Sequence, residues 1–446
     1  MKDLTKGNIT KILFTFAIPI LIGNVLQLTY SLVDTRIVGS TLGENALAAV
    51  GATSSLSSLL IGFLQGLTNG FAVIAARYFG ALDKKSLKKC VAASFFIGII
   101  FSILLTTFSL IFLKPLLLLL HTPDNVMNLS YSFIFIIFAG MTASMLYNIC
   151  ASILRAIGDT ITPLIFLALS VVINIILDFF FILNLHMGVK GAAIATVTAQ
   201  VISFFACFIY MNKRYEILRI TRADFNEFSK DMLSQMLISG LSMGFMSSLV
   251  NFGTVALQTS INNLGTDIIV AHTAARKISE LYMLIFSVFG TTMATFCGQN
   301  LGAQKIERIK EGIKKAILYT WVWCLGAILL TYTAAPFLIY AVTGTHKAVI
   351  ISNASAYLKF DTLFYFIPAV ICIVRNAMQG IGIYITPLIS SGIELVGKVI
   401  IAASLVPVLH YTGVILAEPI VWFIMIIPLI IQILRTPILK KNSIIS

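Results

Sequence analysis

Six carboxylates fall inside long apolar stretches of this 446-residue chain: Asp34, Asp178, Glu280, Asp361, Glu394 and Glu418. An ionised carboxylate at the centre of a membrane helix costs roughly 2.5–3.5 kcal/mol even on the lenient insertion scale, so each one needs a partner, a proton or water. Asp34 follows Gln27 and Tyr30 and precedes Arg36. Asn174 and Asp178 lie four residues apart, which puts an amide and a carboxylate on one helix face, one turn from each other. Such a pair suits a proton acceptor or an oxygen-rich site for a monovalent cation. Two plainer readings compete: an ion pair between Asp34 and Arg36, and Asn174 with Asp178 as polar glue between helices.

The remaining acids divide. Glu394 and Lys398 have the favoured Glu-to-Lys spacing and are expected to neutralise each other. Glu280 follows Arg276 and Lys277 and is open to pairing with them, Asp361 stands just past Lys359, and these two acids are secondary site candidates. Glu418 precedes Pro419 and has no partner nearby in sequence. The histidines (His121, His186, His272, His346 and His410) are dispersed, so neither metal ligation nor histidine catalysis has a constellation. Six isolated cysteines without a CxxC suggest no metal site and no disulfide framework. The chain lacks the phosphate-binding pattern GxxxxGK[ST], so ATP is not its energy source and no cofactor is expected. Any active process would then draw on an ion gradient.

These residues must be held by membrane helices. With 58% hydrophobic and 11% charged residues, and a mean hydropathy of +0.97, soluble domains are excluded. Apolar runs long enough to span occur at about 12–38, 46–78, 90–120, 128–154, 162–184, 190–212, 232–263, 268–299, 312–341, 349–379, 385–409 and 412–434. The net charge of +13 follows from topology: with a cytoplasmic N-terminus, twenty-one Lys and Arg fall on the inner side against Lys114, Lys190 and Lys347 outside. The positive-inside rule therefore places both termini in the cytoplasm and leaves no role for nucleic acid, with at most weak attraction to anionic lipid. The expected location is the inner (plasma) membrane, with the first apolar run, too long for a signal sequence, retained as a span.

The chain also repeats itself. Ile157-Gly-Asp-Thr-Ile-Thr-Pro-Leu-Ile165 recurs as Ile381-Gly-Ile-Tyr-Ile-Thr-Pro-Leu-Ile389, identical at seven of nine positions and displaced by 224 residues. Leu42-Gly43 and Gly80-Ala81 recur at Leu264-Gly265 and Gly302-Ala303, displaced by 222. Duplicated halves follow. The expected fold is all-α and integral to the membrane: twelve transmembrane helices in two six-helix parallel repeats, V-shaped lobes around a central cleft. The first lobe is expected over 1–212, a cytoplasmic linker over 213–231, and the second lobe with a short tail over 232–446. Pro19, well inside the first span, removes a helix hydrogen bond and is the candidate hinge.

Twelve spans in two repeats, Leu154-Arg-Ala-Ile-Gly-Asp-Thr-Ile-Thr-Pro163 after the fourth and Gly298-Gln-Asn-Leu-Gly-Ala303 after the eighth resemble the multidrug and toxic compound extrusion (MATE) family. Glu394 with a basic residue four later resembles many bacterial members. The resemblance implies a transporter, not an enzyme, that exports small cationic amphipathic drugs in exchange for H⁺ or Na⁺ by alternating access, as a monomer. It adds Thr196 to Asp34, Asn174 and Asp178 as a cation-coupling group, with a Na⁺ ion expected at these four residues if sodium is the coupling ion. Gln27, Tyr30 and Asn148 are expected to line the cleft. The family's sodium-coupled branch carries an acid in the seventh span, and none occurs here between Asp231 and Asp267, although Asp361 could be the remnant of a second site. A lipid-linked oligosaccharide flippase of the wider superfamily and an intramembrane transferase are the alternatives.

Overall fold

In the computed structural model, residues 2–120, 122–225 and 228–436 are described; His121 and the tail carrying Lys440 and Lys441 lie outside them. The first six spans are α1 (Ile9–Leu42), α2 (Glu44–Gly80), α3 (Lys84–Ile111) with the short α4 (Leu113–Leu119) after it, the broken pair α5 (Asp124–Ala139) and α6 (Met141–Ala156), α7 (Ile161–Phe179) and α8 (Val189–Arg214). The second six are α9 (Lys230–Ile261), α10 (Thr266–Gly302), α11 (Ile306–Thr343), the broken pair α12 (Ala348–Leu363) and α13 (Phe366–Ile381), α14 (Ile385–Ser404) followed by α15 (Val406–Leu409), and α16 (Tyr411–Arg435). Ten helices are long and apolar enough to cross a membrane alone, and the two pairs, bent by 46° and 55°, bring the described spans to twelve.

The duplication is structural as well as textual. The breaks in the two bent spans, at Gly140 and Phe364, are displaced by the 224 residues of the repeated motif. Both α2 and α10 have 37 residues and start after a glycine at positive φ, Gly43 at 84° and Gly265 at 96°. Each ends in a turn whose next residue but one takes the left-handed region, Leu82 at 59° and Gln304 at 58°.

The chain divides into two compact units. One is Ile18–Gly244 with Lys2 and Asp3; the other is Leu4–Ala17 with Phe245 onward. The units thus differ from the expected lobes in two segments: the first turns of α1 go with the second unit, and the first half of α9 goes with the first. In α1 the change falls between Ala17 and Ile18, beside Pro19, while the helix runs on through the proline.

The packing explains both exchanges. In the first unit, a methyl group on Gly66 of α2 would run into the Met243 carbonyl of α9, and one on Gly70 into the Gly240 backbone. Facing small residues four apart on both helices let the backbones approach closely, the usual means of association where water supplies no drive between helices. In the second unit, the Leu4 amide donates to Gln299 (3.0 Å), and the Leu4 carbonyl accepts from Asn300 (3.3 Å) and Arg308 (3.2 Å). Lys305 donates to the Thr5 carbonyl at 2.8 Å, and Thr10 shares a 2.6 Å hydrogen bond with Tyr319 of α11. Gln299 and Asn300 of the quoted Gly298-Gln-Asn motif therefore hold the N-terminal segment. All six cysteines are free.

Candidate functional site

Asp34, Asn174, Asp178 and Thr196 come from three helices of the first unit and meet at one place. Tyr30 precedes Asp34 by one turn of α1, and its hydroxyl lies 3.3 Å from Thr196 Oγ1 on α8. Thr196 also returns a hydrogen bond to the Ala192 carbonyl (3.1 Å). With its amide turned to suit its neighbours, Asn174 donates to Asp178 at 2.9 Å and to Tyr30 at 3.3 Å, and accepts from the Thr196 amide at 3.1 Å. The carboxyls of Asp34 and Asp178 are neighbours, close enough for each to act on the other's charge. Asp178 is wholly buried, Asn174 nearly so, and Asp34 half-buried. One buried oxygen of each carboxyl, Asp34 Oδ1 and Asp178 Oδ1, has no protein partner.

Two carboxyls that close cannot both be ionised cheaply, so the pair favours taking up a proton or a cation. The group also offers hydroxyl and amide oxygens, the donor types a hard monovalent cation takes. A π-helical turn, Phe180–Asn184, follows Asp178 directly, a departure from α geometry that is frequent at functional sites.

Arg36 does not pair with Asp34. It is exposed and, two residues on, projects from a different side of the helix. Gln27 is exposed on the Asp34 side of α1, two turns earlier. Asn148 donates to the Ser144 carbonyl (2.8 Å) within α6 and makes no hydrogen bond to the acidic group.

The acids of the second unit behave differently. Glu394 and Lys398 pair at 3.1 Å, as their spacing implies, but Lys398 also lies 3.1 Å from Glu418. Glu418 in turn holds Arg276 at 3.2 Å, and Arg375 approaches Glu394 at 3.7 Å while bonding Ser391. Glu280 therefore does not take Arg276, which is turned to Glu418; Lys277 and Glu280 are exposed and neither forms an ion pair among the described residues. Asp361 is wholly buried, and neither carboxyl oxygen has a hydrogen-bond partner. Lys359 is turned to the Tyr332 ring (5.7 Å) and leaves Asp361 alone.

A family model for MatE proteins matches residues 19–180 and 242–404, one block in each half of the chain. The chain belongs to the MATE family. The probable multidrug resistance protein YpnP of Bacillus subtilis is 28% identical over 370 residues, 81% of this chain and 80% of that protein. The multidrug export protein MepA of Staphylococcus aureus is 23% identical over 91% of this chain and 87% of its own length. An outward-facing multidrug resistance MATE transporter superposes with a TM-score of 0.90 at 25% identity, covering 99% of this chain and 98% of that one. A MATE protein is a membrane transporter, so the transferase alternative falls away.

Sequence reasoning missed three members of the second-unit ion network in this MATE chain. Arg276 and Glu418 are 142 residues apart and Arg375 and Glu394 are 19 apart, with no helical spacing to join either pair. The tyrosines beside Asp361 did carry a signal: Tyr357 and Tyr365 lie one turn before and after it, with hydroxyls as orphaned as its carboxyl.

Proposed function

We propose that this MATE protein exports cationic amphipathic compounds across the inner (plasma) membrane in exchange for H⁺ or Na⁺, by alternating access, with both termini cytoplasmic. The names of YpnP and MepA support the drug-efflux reading. The observation that carries the coupling is the Asp34–Asp178 pair with Asn174, Thr196 and Tyr30 around it.

The closeness of the two carboxyls, which disfavours two charges at once, supports H⁺ as the coupling ion; a sodium ion would instead be held by the oxygens of Asp34, Asn174, Asp178 and Thr196. Binding of either ion removes negative charge from the group and weakens its hold on a cationic drug. Drug and ion then favour different states only through their differential affinity, which is what makes the exchange obligatory. Pro19 supports a hinge in α1, since the helix passes from one unit to the other beside it. Glu280 and Asp361 remain secondary candidates for cation coupling.

The test is purified protein in liposomes loaded with a fluorescent lipophilic cation, with a pH gradient and a sodium gradient imposed one at a time. Efflux driven by the pH gradient alone is expected. Efflux under neither gradient would sink the proposal, and lipid scrambling in its place would favour the flippase.

A further inference from the structure

The two repeats differ in charge at equivalent positions. Displaced by 224 residues, Asn174 becomes Lys398 and Asp178 becomes Ala402; displaced by 222, Asp34 becomes Ala256. The second repeat has thus lost the acids of the coupling group and gained a buried cation.

Beside that cation the second unit holds a cavity of 190 Å³ between α9, α10 and α16. Lys277 and Glu280 of α10 reach it as exposed charges outside any ion pair among the described residues, about 16 Å and about 21 Å from the start of their helix at 1.5 Å per residue. Charges within a membrane-spanning helix require water, a partner or a ligand. Arg276 and Glu418 form its charged wall, and Lys398 stands directly behind Glu418 at 3.1 Å. The lining thus carries two cations, Arg276 and Lys277, against Glu280 and Glu418, and with Arg276 held by Glu418 it is Lys277 and Glu280 that are left to meet a ligand bearing both charges. His272, 3% exposed, lines the same cavity, and its Nδ1 has no hydrogen-bond partner although the ring is fixed edge-on to Tyr357 at 5.0 Å.

We propose that this cavity is a recognition site for the anionic end, a carboxylate or a phosphate, of an amphoteric cargo, with Lys277 as the docking cation and the His272 ring nitrogen as a hydrogen-bonding group. Drug-sized pockets run to about 300–1,000 Å³, so this one takes a head group and leaves the body of the molecule outside it. Glu280, one turn from Lys277, suits an amine on the same cargo. Arg276 contributes less than Lys277, because Glu418 already occupies it. The proposal rests on the efflux reading for the word cargo; the site itself does not.

The experiment uses the full chain in phosphatidylcholine nanodiscs and a zwitterionic fluoroquinolone, compared with its methyl ester, which keeps the amine and loses the carboxylate. The acid is expected to bind at least tenfold more tightly than the ester. Lys277→Ala should remove that preference and Lys277→Arg should restore it; His272→Asn should reduce it. No preference in the unaltered protein, or one that survives Lys277→Ala, would overturn the assignment. A preference abolished on transfer to phosphatidylglycerol nanodiscs would give the site to a lipid phosphate and overturn it as a cargo site. Efflux of a permanent cation from liposomes reads the other proposal separately: its failure would leave the acid–ester result standing, and its success without that result would sink this site alone.

Discussion

Asp34 of α1 and Asp178 of α7, 144 residues apart in sequence, are neighbouring acids beside the Tyr30–Asn174–Thr196 cluster of the first unit. Two acids so close disfavour carrying two charges at once, and the Asn174 amide that donates to Asp178 at 2.9 Å stabilises a charge left there. A single charge change at this pair alters both the affinity for a cation and the hydrogen bonding that joins α1 to α7.

Asp34→Asn and Asp178→Asn should each lower drug efflux by about 5- to 150-fold, the range of a typical coupling free energy. Resistance in cells lacking other pumps, normalised to expression, is the measurement. Unchanged resistance in both variants would remove the pair from the mechanism. Because each carboxyl acts through the other, the double variant should be little worse than either single one.

Pro19→Ala separates hinge from packing. Alanine supplies the amide that proline lacks, so the helix gains a hydrogen bond to the residue one turn earlier and should be no less stable. Melting temperature should hold or rise while export falls several-fold. Full export in this variant would reduce Pro19 to an ordinary packing residue.

The ion network of the second unit predicts a stability effect. Lys398 is 2% exposed and serves Glu394 and Glu418 at 3.1 Å each, so Lys398→Met leaves two buried carboxylates short of charge. Breaking a buried pair usually costs about 3–5 kcal/mol, and the loss here should lie at or below that range because Arg276 and Arg375 still face the acids. In detergent, the Lys398→Met/Glu418→Gln protein should recover part of the lost melting temperature. A double variant no more stable than Lys398→Met would show that the pair is not coupled.

The first span's Asp34 and the fifth span's Asn174 and Asp178 were legible because an acid in an apolar run is rare and a four-residue spacing fixes a face. Glu394 with Lys398 was legible for the same reason. Duplication marked the glycines at 43 and 265, which precede equivalent helices, but not the breaks at Gly140 and Phe364, which lie inside stretches that read as continuous apolar spans. Arg276 with Glu418 was not legible, since only tertiary packing brings α10 to α16. Nor was the docking of Leu4 on Gln299 and Asn300, because an N-terminal backbone segment carries no side-chain signal for its partner.

Asp159, in the motif that the second repeat changes to Ile383, makes a prediction outside the membrane spans. Its carboxylate accepts from the amides of Ile161 (3.2 Å) and Thr162 (3.0 Å), which opens α7, and from the Tyr215 hydroxyl (2.7 Å). Burial alone would push this carboxyl up, but the bonds from Thr162 and Tyr215 outweigh it and hold it below its ordinary value of 3.8. The same contact pushes the Tyr215 phenol up, with burial as the larger cause. A carboxyl lowered by folding stabilises the protein fully above its unfolded value, and that contribution is lost as pH falls through the folded one. Asp159→Ala should therefore cost about 1–3 kcal/mol at neutral pH, the loss of a helix cap and a charged hydrogen bond. Melting temperatures measured from about pH 7 to about pH 3 should converge for the two proteins only at the acid end. Curves that stay parallel throughout would mean that the carboxylate's charge contributes nothing and that only its shape matters.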